Sequence, residues 1–130
     1  MRKPLIVPIK SFPKGWYLTW SVSSQCYYNG NVQIKSGGNV LQTIEKTDHS
    51  SNLQILGNGS ALIPSEDMEI VITFYDGTED EEILEQHQVN MILNKKGKPV
   101  GITIGMCVED SYDQDFNDFF ISLAGWEKRG

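Results

Sequence analysis

Cysteine is scarce in this chain: Cys26 and Cys107 are the two among 130 residues. Two cysteines are too few for a disulfide framework or for a four-ligand zinc site. They could form one disulfide or remain two small buried thiols, and the second interpretation is favoured. The two histidines, His49 and His87, lie far apart in the sequence and are interpreted as surface residues.

Long apolar runs are also missing. The best candidate, residues 5–7, is interrupted by Pro4 and Pro8. It falls far short of the roughly 20 residues of a membrane helix and of the about 7–15 residues of a secretory core. The sequence therefore predicts a protein that is not membrane-spanning. Without a signal peptide we expect it to be cytoplasmic, with release or surface association by a non-classical route as the other option.

Positive charge is the scarcer sign, since 11 Lys and Arg face 17 Asp and Glu for a net charge of −6 at pH 7. A protein that follows a phosphate backbone needs a basic stripe. The densest basic cluster here is Lys95, Lys96 and Lys98, around a turn. We therefore expect no nucleic acid as partner, whereas converging carboxylates could hold a cation.

The residues that are present alternate between apolar and polar, as β-strands do. Hydrophobic residues make up 39% and charged residues 22%, which is enough for a core. Alternating segments occupy residues 16–23, 31–35, 40–44, 69–75, 88–93, 100–106 and 119–123. This pattern predicts an all-β fold, an antiparallel β-sandwich of about eight or nine strands, in a single domain spanning 1–130.

Glycines and acids mark the predicted turns. The pair Asn29-Gly30 is a strong signal for a two-residue hairpin, and Gly37-Gly38 ends the strand that follows. Gly57, Gly59 and Pro64 punctuate the middle of the chain. The acidic run at residues 78–85 is compatible with a helical turn or with a long loop, and it is interpreted as a solvated face.

A second acidic segment, residues 109–118, differs from the first in its order. It reads E-D-S-Y-D-Q-D-F-N-D, with five acids among ten residues and no Lys or Arg. Because Asp113, Asp115 and Asn117 alternate, their oxygens can project from one face of a short loop. Oxygen-only ligands on a loop suit Ca²⁺. An EF-hand is rejected, because its sixth and twelfth positions, counted from Asp113, hold Asp118 and Ala124.

The segment resembles that of the bacterial two-calcium lectins that bind fucose and mannose, which reads E-D-x-x-D-x-D-Y-N-D. Here Phe116 stands in place of the Tyr, and the segment again lies just before the last predicted strand. The resemblance implies a non-enzymatic protein that binds a monosaccharide reversibly through one or two directly coordinated Ca²⁺ ions. In the family, two hydroxyls of the sugar ring contact both ions.

The resemblance also implies individual metal ligands. Glu109 and Asp113 would bind one ion, Asp115 and Asp118 would bridge both, and Asn117 would bind the second. The resemblance also implies that sugar-binding residues include Asp113, Asp115, Asn117 and Asp118. Four or more carboxylates would offset most of the charge of the two ions, so that neutral hydroxyls can complete the coordination.

Further family positions concern the sugar and the assembly. Asp110 would accept a hydrogen bond from a sugar hydroxyl. The sugar-selecting loop corresponds to the stretch that begins with Ser23, Ser24 and Gln25, which departs from the family's loop. In the family the carboxylate of a final glycine reaches the calcium site of a partner subunit, and Gly130 occupies the equivalent position. A homo-oligomer, a dimer or a dimer of dimers, is therefore expected.

Two other functions stay open on the sequence. A calcium-stabilised structural or interaction domain without sugar binding would use the same carboxylates as a staple. A glycosidase would need two acids across a sugar, and a small domain with its acids in one decapeptide suits that poorly. We therefore expect carbohydrate as partner and no enzymatic activity.

Overall fold

The computed structural model describes residues 2–110 and 116–128, and within these ranges it consists of β-strands and loops without a helix. The strands are β1 (Leu5–Ile9), β2 (Tyr17–Ser24), β3 (Gly30–Ser36), β4 (Asn39–Lys46), β5 (Gln54–Leu62), β6 (Met68–Phe74), β7 (Leu84–Leu93), β8 (Pro99–Glu109) and β9 (Phe119–Trp126). The described part of the chain accordingly offers no helix with the length and hydropathy to cross a membrane.

The nine strands form two antiparallel sheets. One sheet has the strand order β1-β6-β3-β4, and the other has the order β5-β2-β9-β8-β7. All seven strand pairings are antiparallel. The predicted all-β antiparallel sandwich is thus confirmed, with strands at the upper end of the expected number.

Alternation along the strands builds the core between the sheets. Every second residue of β3 and of β6 is buried, as a period of two requires. The same alternation in β2, β8 and β9 supplies the other half of the core. The largest contributors are apolar and fully buried: Phe12, Phe74, Phe119, Leu18, Ile34, Ile63, Met68, Ile70, Ile72, Ile104 and Met106.

Two strands, β1 and β5, went unrecognised in the sequence because of residues that usually end strands. β1 contains Pro8, which is tolerated because β1 lies at the edge of its sheet. β5 contains Gly57 and Gly59, which were interpreted as turns. A Cβ at Gly59 would lie 2.6 Å from the ring of Trp20, so the glycine makes room for that ring inside the strand.

The hairpin predicted at Asn29-Gly30 is wrong. The strands on either side, β2 and β3, belong to different sheets, so the connection crosses the sandwich. Gly30 begins β3, and a Cβ there would collide with the carbonyl oxygen of Thr73 on β6. The hairpin of this region lies at Gly37-Gly38 between β3 and β4, where both glycines have positive φ angles.

In the acidic run, residues 78–83 form a loop with a single hydrogen-bonded turn and no helix, and Leu84 and Glu85 already belong to β7. Glu81 donates its backbone N–H to the carbonyl of Thr78 over 3.1 Å, and its side chain accepts the Thr78 N–H over 2.9 Å. Of the two interpretations the sequence allowed, the acidic loop is therefore confirmed.

Candidate functional site

Three acidic residues lie at one end of the sandwich, where β8 ends and β9 begins. Because these strands are antiparallel neighbours, the residues that follow the end of β8 and precede the start of β9 meet at the same edge. Glu109 is 0% exposed, Asp118 4% and Asp110 8%. Carboxylates are almost never this buried unless a partner compensates them, so this end of the fold is the candidate site.

Backbone groups hold the acidic side chains in place. The backbone N–H of Asp110 donates to Oδ2 of Asp118 over 2.7 Å, and the N–H of Phe116 donates to Oε1 of Glu109 over 3.2 Å. The N–H of Asp118 in turn donates to the carbonyl of Val108 over 3.1 Å. These bonds tie the two sides of the loop together, and they fix the direction of two carboxylates.

The electrostatics of the site favour a cation. Burial, with a further contribution from the nearby Asp110 carboxylate, raises the pKa of Asp118 to about 7 against the opposing hydrogen bond from the Asp110 N–H. A desolvated carboxylate beside other acids is costly to ionise. A bound hard cation would relieve that cost, and carboxylate oxygens are the donors that Ca²⁺ prefers. The donor set therefore fits the metal that the sequence predicts.

The loop after β2 packs directly against this site. Gln25 donates its backbone N–H to the carbonyl of Asn117 over 3.1 Å, and the Asn117 side-chain amide donates to Oε1 of Gln25 over 3.4 Å. Ser24 is buried below the loop, whereas Ser23 is half-buried and pairs with Phe120 of β9. The predicted sugar-selecting stretch and the acidic segment are thus neighbours in space.

Cys26 belongs to the site, although it was interpreted in the sequence as an ordinary buried thiol. Its Sγ and carboxylate oxygens of Asp110 and Asp118 all lie within 4.8 Å of one another. The thiol donates to the carbonyl of Tyr28 over 3.3 Å, and burial raises its pKa to about 11. A protonated thiol is a poor ligand for Ca²⁺, so we assign Cys26 to the wall of the site. Neither cysteine is in a disulfide, since Cys107 is also free.

Arg2 is a second residue that sequence reasoning missed. Its buried guanidinium donates to the backbone carbonyl of Asp110 over 2.7 Å and to those of Asp76 and Glu81, each over 3.0 Å. It also lies 5.4 Å from the ring centroid of Phe74. Arg2 thereby connects the end of β8 to the loop between β6 and β7. No signal near Arg2 in the sequence indicates these partners, which lie more than 70 positions away.

The predicted site residues fall into two groups. The structure brings together Glu109, Asp110, Asn117 and Asp118, and it places Ser23, Ser24 and Gln25 on the adjacent strand end and loop. The remaining predicted ligands, Asp113, Asp115 and Gly130, lie outside the described residues. The metal-ligand and sugar-contact roles of all these residues stay predictions.

Comparison with solved structures finds the same fold in bacterial lectins. The Ralstonia solanacearum high-affinity mannose-binding lectin matches with a TM-score of 0.66 at 16% identity, over 91% of this chain and 94% of that one. The Chromobacterium violaceum lectin CV2L, solved in complex with α-methyl-fucoside, matches with a TM-score of 0.64, the same identity and the same coverage. The C-terminal domain of the BC2L-C lectin from Burkholderia cenocepacia matches with a TM-score of 0.64 at 12% identity, over 99% of this chain and 100% of that one.

These matches confirm at the level of the fold the resemblance drawn from the acidic segment. At 12–16% identity, the backbone fold is shared while most side chains differ. No protein-family model matches the chain, and no curated protein matches it by sequence. The chain therefore has the fold of bacterial fucose- and mannose-binding lectins.

Proposed function

We propose that this protein is a calcium-dependent lectin that binds a monosaccharide of the fucose or mannose type, reversibly and without enzymatic activity. The observation that carries the proposal is the burial of three acids, Glu109, Asp110 and Asp118, at one end of a lectin fold. A solvated acidic loop would leave these side chains in water. A bound cation that accepts further oxygen ligands would compensate the buried negative charge.

The residues proposed to hold the metal are Glu109, Asn117 and Asp118, together with Asp113 and Asp115 from the same segment. Bound Ca²⁺ would supply open coordination positions that neutral hydroxyl oxygens can fill. The backbone bonds to Glu109 and Asp118 hold these carboxylates in place before any ligand arrives. Such preorganisation lowers the entropic cost of binding.

The protein's own groups are proposed to select the sugar. Asp110 lies beside Asp118, and we assign its carboxylate oxygens the role of accepting a hydrogen bond from a hydroxyl group of the sugar. Gln25 lies against Asn117 and is exposed, so its amide can reach a ligand seated over the segment. Because this loop departs from the family's selecting loop, the preference between fucose and mannose is a question for measurement.

The direct test is calorimetric titration of methyl α-fucoside and methyl α-mannoside, first with calcium and then with a chelator. We expect heat with calcium and none with the chelator. Asp110→Ala should weaken sugar binding while calcium binding persists, because its proposed contact is to the sugar. Glu82→Ala, on the exposed acidic loop, is the matched control and should bind as the unaltered protein does.

Other outcomes would redirect the assignment. If no sugar gives heat while the chelator still lowers the melting temperature, the calcium-stabilised structural or interaction domain replaces the lectin. If the chelator changes neither binding nor melting, carboxylate ligation of calcium is wrong.

We also propose that the protein is a homo-oligomer, a dimer or a dimer of dimers. β7 is an edge strand of its sheet, and Val89, Met91 and Leu93 alternate along one of its faces with their side chains exposed. An exposed apolar edge strand is a surface that proteins usually cover. Light scattering should report a mass above the monomer's 14.7 kDa, and a monomer at all concentrations would overturn this proposal.

A further inference from the structure

A groove lies on the outer face of the five-stranded sheet, beside the candidate metal site. It has a volume of about 510 Å³ and is bordered by outward-facing residues of β7, β8 and β9. Ligand pockets in proteins typically measure about 300–1,000 Å³. The groove is therefore large enough for a small ligand, and the proposed calcium chemistry does not use it.

Amide side chains form one wall of the groove. Gln86, Gln88 and Asn90 follow each other at intervals of two along β7, so they share a face of the sheet. Each amide offers two donors and one acceptor oxygen, and all three are exposed. A row of neutral donors and acceptors suits a ligand with many hydroxyl groups.

An aromatic ring forms the opposite wall. Phe120 of β9 is 42% exposed although its two chain neighbours are fully buried. Gly105 of β8 forms the floor next to this ring and leaves it open because glycine has no side chain. A Cβ at this position would lie 3.6 Å from Cε1 of Phe120. An accessible phenyl face is an apolar platform. It can contact the C–H face of a sugar ring while the amides across the groove bind the hydroxyls.

The charge of the groove limits what it can accept. No Asp, Glu, Lys or Arg occurs among the described residues that line it, although these types make up 22% of the sequence. His87 also lines the groove, but its Nδ1 is paired with the carboxylate of Glu85 over 2.8 Å, so a phosphorylated ligand would find no unpaired cation among these residues. A purely apolar ligand would bury three amides without partners, which is costly. A neutral polyhydroxylated ligand satisfies both conditions.

The groove is continuous with the candidate site. Phe116 lines the groove, and its backbone N–H donates to the carboxylate of Glu109. One residue therefore borders both places. A ligand with one sugar unit over the acidic segment could extend a second unit past Phe116 onto the sheet.

We propose that this groove is a second saccharide subsite, which binds the next unit of a neutral oligosaccharide between Phe120 and the amides of β7. The inference rests on the proposed function, because the acidic segment is taken to hold the terminal sugar. The protein would then recognise a glycan longer than a monosaccharide.

The test compares short and long ligands by calorimetry in calcium: methyl α-mannoside against α-linked mannotriose, and methyl α-fucoside against 2′-fucosyllactose. The subsite predicts that one trisaccharide binds about 5–10-fold more tightly than its methyl glycoside. Gly105→Val, which fills the floor, and Phe120→Leu, which removes the ring, should both abolish that preference. Neither should change the affinity for the methyl glycoside by more than about 2-fold.

Two control variants should keep the preference. Gly105→Ala adds a Cβ that fits by ordinary contact. Gln33→Ala removes an amide from β3, in the other sheet, where it donates to Thr43. Thermal melting of every variant establishes that it is folded before binding is compared.

Cys107 provides a second readout that needs no calcium-dependent heat. Its half-buried side chain lines the groove, whereas Cys26 is buried and serves as an internal control. A trisaccharide in the groove should slow alkylation of Cys107 by iodoacetamide, as followed by mass spectrometry. The methyl glycoside should not slow it.

The outcomes separate the two proposals. Equal affinities for long and short ligands, or a preference that survives both groove variants, would overturn the subsite and leave the lectin standing. Protection of Cys107 by a trisaccharide without any binding of the methyl glycosides would support the subsite and overturn the monosaccharide site. Neither binding nor protection would overturn both.

Discussion

Two acidic regions of this protein have similar charge densities in the sequence and opposite environments in the fold. In the loop before β7, the side chains of Glu79, Asp80 and Glu82 are exposed. At the junction of β8 and β9, those of Glu109, Asp110 and Asp118 are buried. The exposed carboxylates of the first region keep their hydration. Burial removes water from the carboxylates of the second region, so they need compensating partners.

The difference follows from where each region lies relative to the strands. The exposed loop leads into an edge strand, while the buried acids flank two central strands of the same sheet. Arg2 touches both regions, yet it does so through the backbone carbonyls of Glu81 and Asp110. Acidic composition alone therefore does not decide which carboxylates are buried, whereas position in the sheet does.

Replacing Asp118 should produce the largest effect. Asp118→Asn keeps an acceptor for the N–H of Asp110 and removes the charge, so calcium affinity should fall about 100-fold or more, with sugar binding lost alongside. Isothermal titration with calcium measures the change. Glu82→Gln, in the exposed region, should leave calcium affinity unaltered. Equal losses of calcium affinity in the two variants would contradict the proposed difference between the two acidic regions.

Removal of calcium should produce the next largest effect. With free calcium at 100 times its dissociation constant, a single site contributes about 2.7 kcal/mol to the free energy of unfolding. For a chain of this length a chelator should thus lower the melting temperature by roughly 10 °C. Scanning calorimetry measures the shift. Asp118→Asn should already melt at the lower temperature and respond little to chelator.

Arg2→Ala should destabilise the protein by roughly 2–3 kcal/mol, because one buried and two partly buried carbonyls lose a charged donor. The urea midpoint at pH 7 measures this cost. The neighbouring exposed Lys3→Ala should change it by less than about 0.5 kcal/mol. If the two variants unfold at the same midpoint, the role of Arg2 in joining the two acidic regions is wrong.

A further effect concerns pH in the calcium-free protein. The pKa of Asp118 is about 7 in the folded state against 3.8 for the ordinary carboxyl, so the folded protein holds the extra proton between these values. The free energy of unfolding should therefore fall as pH rises from about 4 to about 7. Urea unfolding in chelator at several pH values measures the slope, which Asp118→Asn should flatten. Asp76, whose pKa is lowered chiefly by the Asn29 N–H, changes protonation below this window.

The smallest effect is expected in the exposed acidic loop itself. Glu82→Gln should alter the free energy of unfolding by less than about 0.5 kcal/mol, because its charge is in water. Denaturant titration at low and at high salt measures it. A loss above 1 kcal/mol would mean that this loop is stabilised by its charge, contrary to the comparison (surface charges typically contribute about 0–1 kcal/mol).

Alternation was sufficient to predict most of the fold. Seven strands were placed from their period of two, and the antiparallel sandwich followed from them. Two of the failures share one cause, because a glycine that usually ends a strand serves packing instead, whereas β1 was missed because its edge position tolerates Pro8. Gly59 makes room for Trp20, and Gly30 allows β3 to approach β6, so neither glycine makes the turn that its local context indicates.

The candidate site was predicted only as far as its ligands are close in sequence. The order of acids in residues 109–118 indicated a calcium loop and the family resemblance together. Cys26 and Arg2 were not found, because their contacts with Asp110 and Asp118 join positions separated by most of the chain. No local pattern carries such information.

The amino-acid sequence by itself determined that this protein is a β-sandwich and that one acidic segment has regularly spaced acids, because period and spacing are local properties. The tertiary structure alone decided which acids are buried, which loop packs against them and that Phe116 joins the site to a groove on the sheet. The physical reason is that burial and desolvation depend on which strands become neighbours, and the order β5-β2-β9-β8-β7 is set by packing across the whole chain.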